Sequence, residues 1–203
     1  VAVVVAIVLV ALAAWWFWPE AEADPAPAAA PSSTAAPVET PAPCTSTATG
    51  PFTPTSVTVP GAIDAARVVP VPPDGEVSGT LPESEGRAFA WEPSPGATPG
   101  SPKGNVLMNV HTFPGDGANG NVLLDQLPEG GQIVLAGTAP DGSAVELCYV
   151  VSERLEMPAT ELLPRYYATD GPPQVAIVVC SGERRGPGDW THRTVWFASP
   201  VST

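Results

Sequence analysis

Gln174-Val175-Ala176-Ile177-Val178-Val179-Cys180 follows the turn residues Asp170-Gly171-Pro172-Pro173 directly. A short apolar run rich in β-branched residues and bounded by Gly and Pro reads as a strand. It ends on a cysteine. Thirteen positions further on (193 − 180), Arg193 opens a second run, Thr194-Val195-Trp196-Phe197-Ala198. Upstream, Asn105-Val106-Leu107-Met108-Asn109-Val110 ends on His111. A thiol, an imidazole and a guanidinium, each at the edge of an expected strand, form the set that cysteine acyl transfer requires. The thiolate attacks a carbonyl, the imidazole moves protons and the cation steadies an oxyanion. Taken singly, a cysteine after aliphatic residues is a small buried hydrophobe and the His and Arg are ordinary polar residues. The joint pattern counts for more, because a catalytic Cys and His are distant in sequence and adjacent only in the fold.

Working outward, the same texture recurs. Val57-Thr58-Val59, Ala66–Val69, Phe89–Trp91, Val106–Val110, Gln132–Ala136, Val145–Val151 and Val195–Ala198 also read as strands. Between them stand Pro72-Pro73-Asp74-Gly75, Pro99-Gly100, Glu129-Gly130-Gly131 and Asp141-Gly142. Asp-Gly between two strands is a strong hairpin signal. With Gln174–Cys180 the runs number about eight, which predicts an all-β, closed or nearly closed barrel. Two segments read as short helices, Asn121–Leu127 and Pro158–Leu163.

Residues 1–18 are uncharged and almost wholly apolar, and end in Trp15-Trp16-Phe17-Trp18. Eighteen residues at the helical rise reach about 27 Å, close to the hydrocarbon thickness of a bilayer. A transmembrane anchor with an interfacial aromatic belt is expected, with the acidic Glu20, Glu22 and Asp24 on the outer side. The competing reading is a cleaved signal peptide, since Ala21-Glu22-Ala23 fits a small-x-small cleavage site. Either way the remainder is exported. Residues 19–55 are dominated by Pro, Ala, Ser and Thr and read as a disordered linker. The folded part is then 56–203.

Net charge is −13 with only eight Lys and Arg in 203 residues, which argues against a phosphate-binding surface and so against nucleic acid as a partner. No Cys-x-x-Cys or other paired ligand spacing points to a metal, and no cofactor motif occurs. Cys148 lies mid-strand and reads as a buried thiol. A disulfide with Cys44 in an oxidising compartment is the alternative. His192 adjoins Arg193, but strand alternation turns the two to opposite faces, which favours His111 as the catalytic histidine.

From about Val57 to Ser199 the chain resembles the sortases, cysteine transpeptidases of the Gram-positive cell surface, and most of all the actinobacterial class F group. The signposts run in family order: Asp74-Gly75, Leu81-Pro82, Trp91, Pro99-Gly100 leading into Gly104–His111, Leu124-x-x-Leu127, Gly131–Leu135, Asp141-Gly142, Cys180 and Arg193. The resemblance implies an eight-stranded barrel with one or two short helices behind a membrane anchor and linker. It maps His111, Cys180 and Arg193 onto the catalytic triad, and it implies no cofactor. It further implies a sorting-signal tail such as Leu-Pro-x-Thr-Gly as substrate, and an amine on a peptidoglycan precursor or a protein Lys as acceptor. Met157, Leu162 and Leu163 are candidates for an apolar substrate groove; packing on the barrel's side is the plainer reading. Two positions depart from the family. Val179 stands where Thr-x-Thr-Cys is usual, and Val110 where Gly commonly precedes the His. Two rival functions remain, a cysteine hydrolase without amine transfer and a membrane-anchored binding module with an inert Cys180.

Overall fold

The computed structural model describes residues 44–72, 79–115 and 117–201. The expected membrane anchor and most of the expected linker lie outside the described residues. Among those described, no helix is long and apolar enough to cross a membrane.

Eight strands form: β1 (Thr53–Val59), β2 (Ile63–Pro70), β3 (Phe89–Glu92), β4 (Asn105–Asn109), β5 (Gln132–Thr138), β6 (Ala144–Pro158), β7 (Gln174–Gly186) and β8 (Asp189–Pro200). They close a barrel in the order β1-β2-β3-β4-β7-β8-β6-β5. The pairs β2–β3 and β4–β7 are parallel and the rest antiparallel. Closure removes the free strand edges that an open sheet would expose. The Asp141-Gly142 turn between β5 and β6 has Gly142 at φ 86°, where a Cβ is disfavoured. The Asp141 carboxylate accepts from the Ser143 amide and hydroxyl at 2.9 and 2.6 Å, which holds its pKa below the usual range.

Alternate residues face inward and fill the barrel, among them Val57, Phe89, Met108, Ile133, Leu135, Val175, Ile177 and Trp196. Helix α1 (Asn119–Gln126) caps this core with Leu123, and the chain just beyond it adds Leu127. The Trp196 indole donates to the Leu127 carbonyl at 3.0 Å, tying β8 to the helix end. Outside the barrel a second apolar cluster, Leu107, Tyr166, Ala176, Val195 and Phe197, lies under the β6–β7 connection.

Four expectations need correction. Pro158–Leu163 is not helical: Pro158 ends β6, a turn follows through the Glu161 amide on the Pro158 carbonyl, and a single 3₁₀ turn spans Pro164–Tyr167. Six residues are too few to nucleate a helix, and Pro164 pushes Leu163 away from helical geometry. Strand β6 runs seven residues past Val151, to Pro158, through a bulge between Val151 and Glu153. Arg193 lies inside β8 rather than at its start.

The fourth concerns the linker. Its described residues, 44–55, are held to the barrel. Cys148 is disulfide-bonded to Cys44 across a separation of 104 residues, so it is not a buried thiol. The Thr47 and Ala48 amides donate to the Glu146 carbonyl, the Cys148 amide donates to the Ser46 hydroxyl, and Phe52 is buried. The segment has one large apolar residue, Phe52, which enters the barrel core, and its backbone finds hydrogen-bond partners on β6 and at Pro99.

Candidate active site

Strands β7 and β8 pair so that Cys180 lies directly opposite Arg193, while Ser181 lies opposite His192. Opposed residues of an antiparallel pair share a face, so Cys180 and Arg193 are on one face and His192 on the other. That face is the outer one: Val175, Ile177 and Val179 belong to the barrel core, and Ala176 to the outer cluster. The bulge in β6 inverts its alternation, so Glu153, Leu155 and Met157 pair with Phe197, Val195 and Arg193 on the outer side.

The parallel register of β4 with β7 is constant, from Asn105↔Gln174 to Asn109↔Val178. The paired register ends at Asn109, and the Val110 amide still reaches the Val178 carbonyl at 3.4 Å. Cys180, Arg193 and Met157 stand at one level on β7, β8 and β6, and His111 lies two residues past the end of β4. Helix α1 and strands β5 and β6 lie between His111 and Cys180 in the chain, and the residue after His111, Thr112, reaches the Cys180 carbonyl with its hydroxyl at 2.9 Å.

The His111 Nε2 lies 2.6 Å from the Leu81 carbonyl. A carbonyl only accepts, so Nε2 carries the hydrogen, and in the neutral ring Nδ1 is bare. The ring stacks on Phe113 with centroids 5.6 Å apart. Helix α1 begins against this backbone: the Gly120 amide donates to the His111 carbonyl at 3.0 Å, and a Cβ on Gly120 would lie 2.3 Å from that oxygen. Only glycine permits so close an approach.

Cys180 is a free thiol, partly exposed. Burial pushes its pKa up, opposed by the Arg193 charge and by a hydrogen bond from the Thr112 side chain. Burial therefore outweighs the two opposing influences and favours the neutral thiol over the thiolate. The Arg193 Nη1 donates to the neighbouring His192 carbonyl at 3.0 Å. Ion pairs among the described residues are Arg67–Glu85 and Arg165–Glu153, so no carboxylate claims Arg193 there.

The groove candidates separate. Met157 is buried beside Arg193, Leu163 packs on the outer cluster, and Leu162 is 90% exposed. The β6–β7 connection itself is pinned over the outer face by residues that the sequence did not single out. The buried Asn105 donates to the Arg165 and Tyr166 carbonyls at 2.8 and 3.0 Å, and the Tyr166 hydroxyl donates to the Met108 carbonyl at 3.0 Å. Arg165 pairs with Glu153 at 2.6 Å and lies 4.0 Å over the Phe197 ring. An open cavity of about 530 Å³ adjoins this region but is lined by Glu156, Glu183, Arg185 and His192 rather than by Cys180. No group of three or more metal-ligating side chains occurs among the described residues.

No protein-family model matches the chain, and no curated protein does. Solved structures do. A lid mutant of Streptococcus agalactiae sortase C1 aligns over 73% of this chain and 68% of its own, with a TM-score of 0.54 and 15% identity. Sortase C-1 from Actinomyces oris aligns over 73% of each chain, with a TM-score of 0.54 and 16% identity. Sortase C1 from Streptococcus suis aligns over 76% of this chain and 75% of its own, with a TM-score of 0.54 and 13% identity. The chain has the sortase fold: an all-β, eight-stranded barrel with one helix. At these identities the likeness is one of fold.

Proposed function

We propose that the chain is a sortase-type cysteine transpeptidase, most like the actinobacterial class F enzymes. The observation that carries this reading is a free thiol directly opposite a guanidinium on β7 and β8 of a sortase-fold barrel, with the chain just past β4, which holds His111, hydrogen-bonded to the Cys180 carbonyl through Thr112. Cys180 attacks a backbone carbonyl in the C-terminal sorting signal of an exported surface protein and forms a thioacyl intermediate. His111 takes the thiol's proton, passes it to the departing amine and later takes a proton from the incoming amine; that proton returns to the sulfur as the thioester breaks. Arg193 donates to the scissile carbonyl oxygen as it becomes an oxyanion; its planar fork and permanent charge suit that task. The acceptor is an amine on a peptidoglycan precursor or a protein Lys. No cofactor is required.

The reading includes an N-terminal membrane anchor, a linker and a catalytic domain on the extracytoplasmic side. The Cys44–Cys148 disulfide supports an exported domain, since such bonds persist in oxidising compartments.

The test is acceptor competition. The chain is incubated with Leu-Pro-x-Thr-Gly peptides, with and without a peptidoglycan-type amine, and the products are weighed. Ligated product that disappears in Cys180→Ala is expected. Cleavage without ligation at any amine concentration identifies a hydrolase, and no cleavage of any sorting peptide identifies an inert module.

A further inference from the structure

Beyond His111, Cys180 and Arg193, a fourth side chain touches the backbone of the candidate nucleophile. Thr112 follows His111 directly and is buried, at 5% exposure. Its hydroxyl donates to the Cys180 carbonyl at 2.9 Å, bridging from the end of β4 to the nucleophile's own backbone. Strand β7 offers no hydroxyl on that face. The neighbour there is Val178, and the side chain of Val179 is turned into the barrel core.

We propose that Thr112 is a catalytic residue that hydrogen-bonds the Cys180 sulfur and stabilises it as a thiolate. This deepens the proposed function, on which it rests. A threonine hydroxyl carries one proton and two lone pairs. With the thiol neutral, that proton goes to the Cys180 carbonyl, which can only accept. Once the thiol ionises, the hydroxyl rotates about Cβ–Oγ1 and donates to the sulfur. One small rotor thereby follows the charge on the nucleophile without backbone movement. The downward pull of Thr112 on the Cys180 pKa agrees with this geometry, set against the larger upward push of burial. A charge-assisted hydrogen bond of this kind is among the stronger ones available to a protein.

The experiment reads thiol ionisation rather than turnover, so its failure is distinct from failure of the transpeptidase reading. Under non-reducing conditions Cys180 is the free thiol, and its alkylation by iodoacetamide is followed from pH 6 to pH 11 in the full chain. Thr112→Val, which keeps the shape and removes the hydroxyl, is expected to alkylate about tenfold more slowly near pH 7.5 and to reach the same limiting rate at high pH. Thr112→Ser is expected to restore the original profile. A Thr112→Val profile that overlays the parent, or a Thr112→Ser profile displaced as far as that of Thr112→Val, overturns the proposal. In the unmodified protein the Thr112 ¹³Cβ resonance must move with the Cys180 titration. A resonance that stays flat overturns the proposal even if Thr112→Val does not fold.

Discussion

Replacing Arg193 separates two things its guanidinium does: lower the cost of a thiolate and donate to an oxyanion. The side chain lies directly across the β7–β8 ladder from Cys180. Such pairs hold their Cβ atoms roughly 5 Å apart. At an effective dielectric constant of about 20, a unit charge at that distance is worth about 3 kcal/mol to the thiolate, as an upper bound. Both residues are partly exposed, and solvent screening reduces this to about 1 kcal/mol. Arg193→Gln should therefore raise the Cys180 pKa and lower the thiolate population at neutral pH by about fivefold. Arg193→Lys keeps the charge and should leave the pKa nearly unmoved. Turnover of a sorting peptide should fall in both, on the order of 10²–10³, because neither keeps the planar fork as an oxyanion donor. The assays are the pH dependence of iodoacetamide alkylation and single-turnover peptide cleavage. The unfolding midpoint should barely move, since among the described residues the Arg193 side chain hydrogen-bonds its neighbour's carbonyl, a contact within its own strand. An unchanged alkylation profile in Arg193→Gln, together with near-normal turnover, would refute the reasoning and turn attention to Arg184 and Arg185.

Two further outcomes follow from the same structure. The disulfide closes a separation of 104 residues, for which chain entropy allows about 4–5 kcal/mol. Reduction, or Cys44→Ser, should lower the unfolding midpoint by on the order of 10 °C, and no change on reduction would mean the bond contributes nothing. Cys180 and Tyr149 are both shifted upward by burial, so the folded state holds protons that the unfolded chain releases first. Their contribution to stability is complete below the unfolded values. It should be lost from about pH 8.5 for Cys180, joined from about pH 10 by Tyr149. Denaturant midpoints measured across that range should fall with pH, and less steeply in Cys180→Ala between pH 8.5 and 10. Identical slopes would contradict the burial argument.

The barrel was legible because its strands alternate over short spans and are cut by Gly, Pro and Asp. Helix α1 was legible to within two residues at its start. What stayed hidden depended on distant partners. Glu153, Arg154 and Glu156 broke the apolar pattern of β6, yet its pairing with β8 continues to Pro158. Cys44 sits in a stretch whose composition signals disorder, and its anchor on β6 appears only once the chain is folded. His111, Cys180 and Arg193 stood out by chemistry at the edges of apolar runs, although β7 and β8 continue past Cys180 and before Arg193. The direct opposition of Cys180 and Arg193 follows from the β7–β8 hairpin register, which the run boundaries did not show. Thr112 and the Leu81 carbonyl gave no signal, because a hydroxyl next to a histidine and a backbone oxygen look the same in any sequence. Pro158–Leu163 misled by its helix-forming residues, in a span too short to use them.

The most direct measurement is the mass of the intact chain during turnover. Incubated under non-reducing conditions with a Leu-Pro-x-Thr-Gly peptide and no amine, the chain should gain the acyl fragment of that peptide, mapped to Cys180. It should lose that fragment when an acceptor amine is added, with ligated peptide appearing in its place. An adduct that persists in Cys180→Ala, or none with any sorting peptide while Cys180 alkylates normally, would contradict the account.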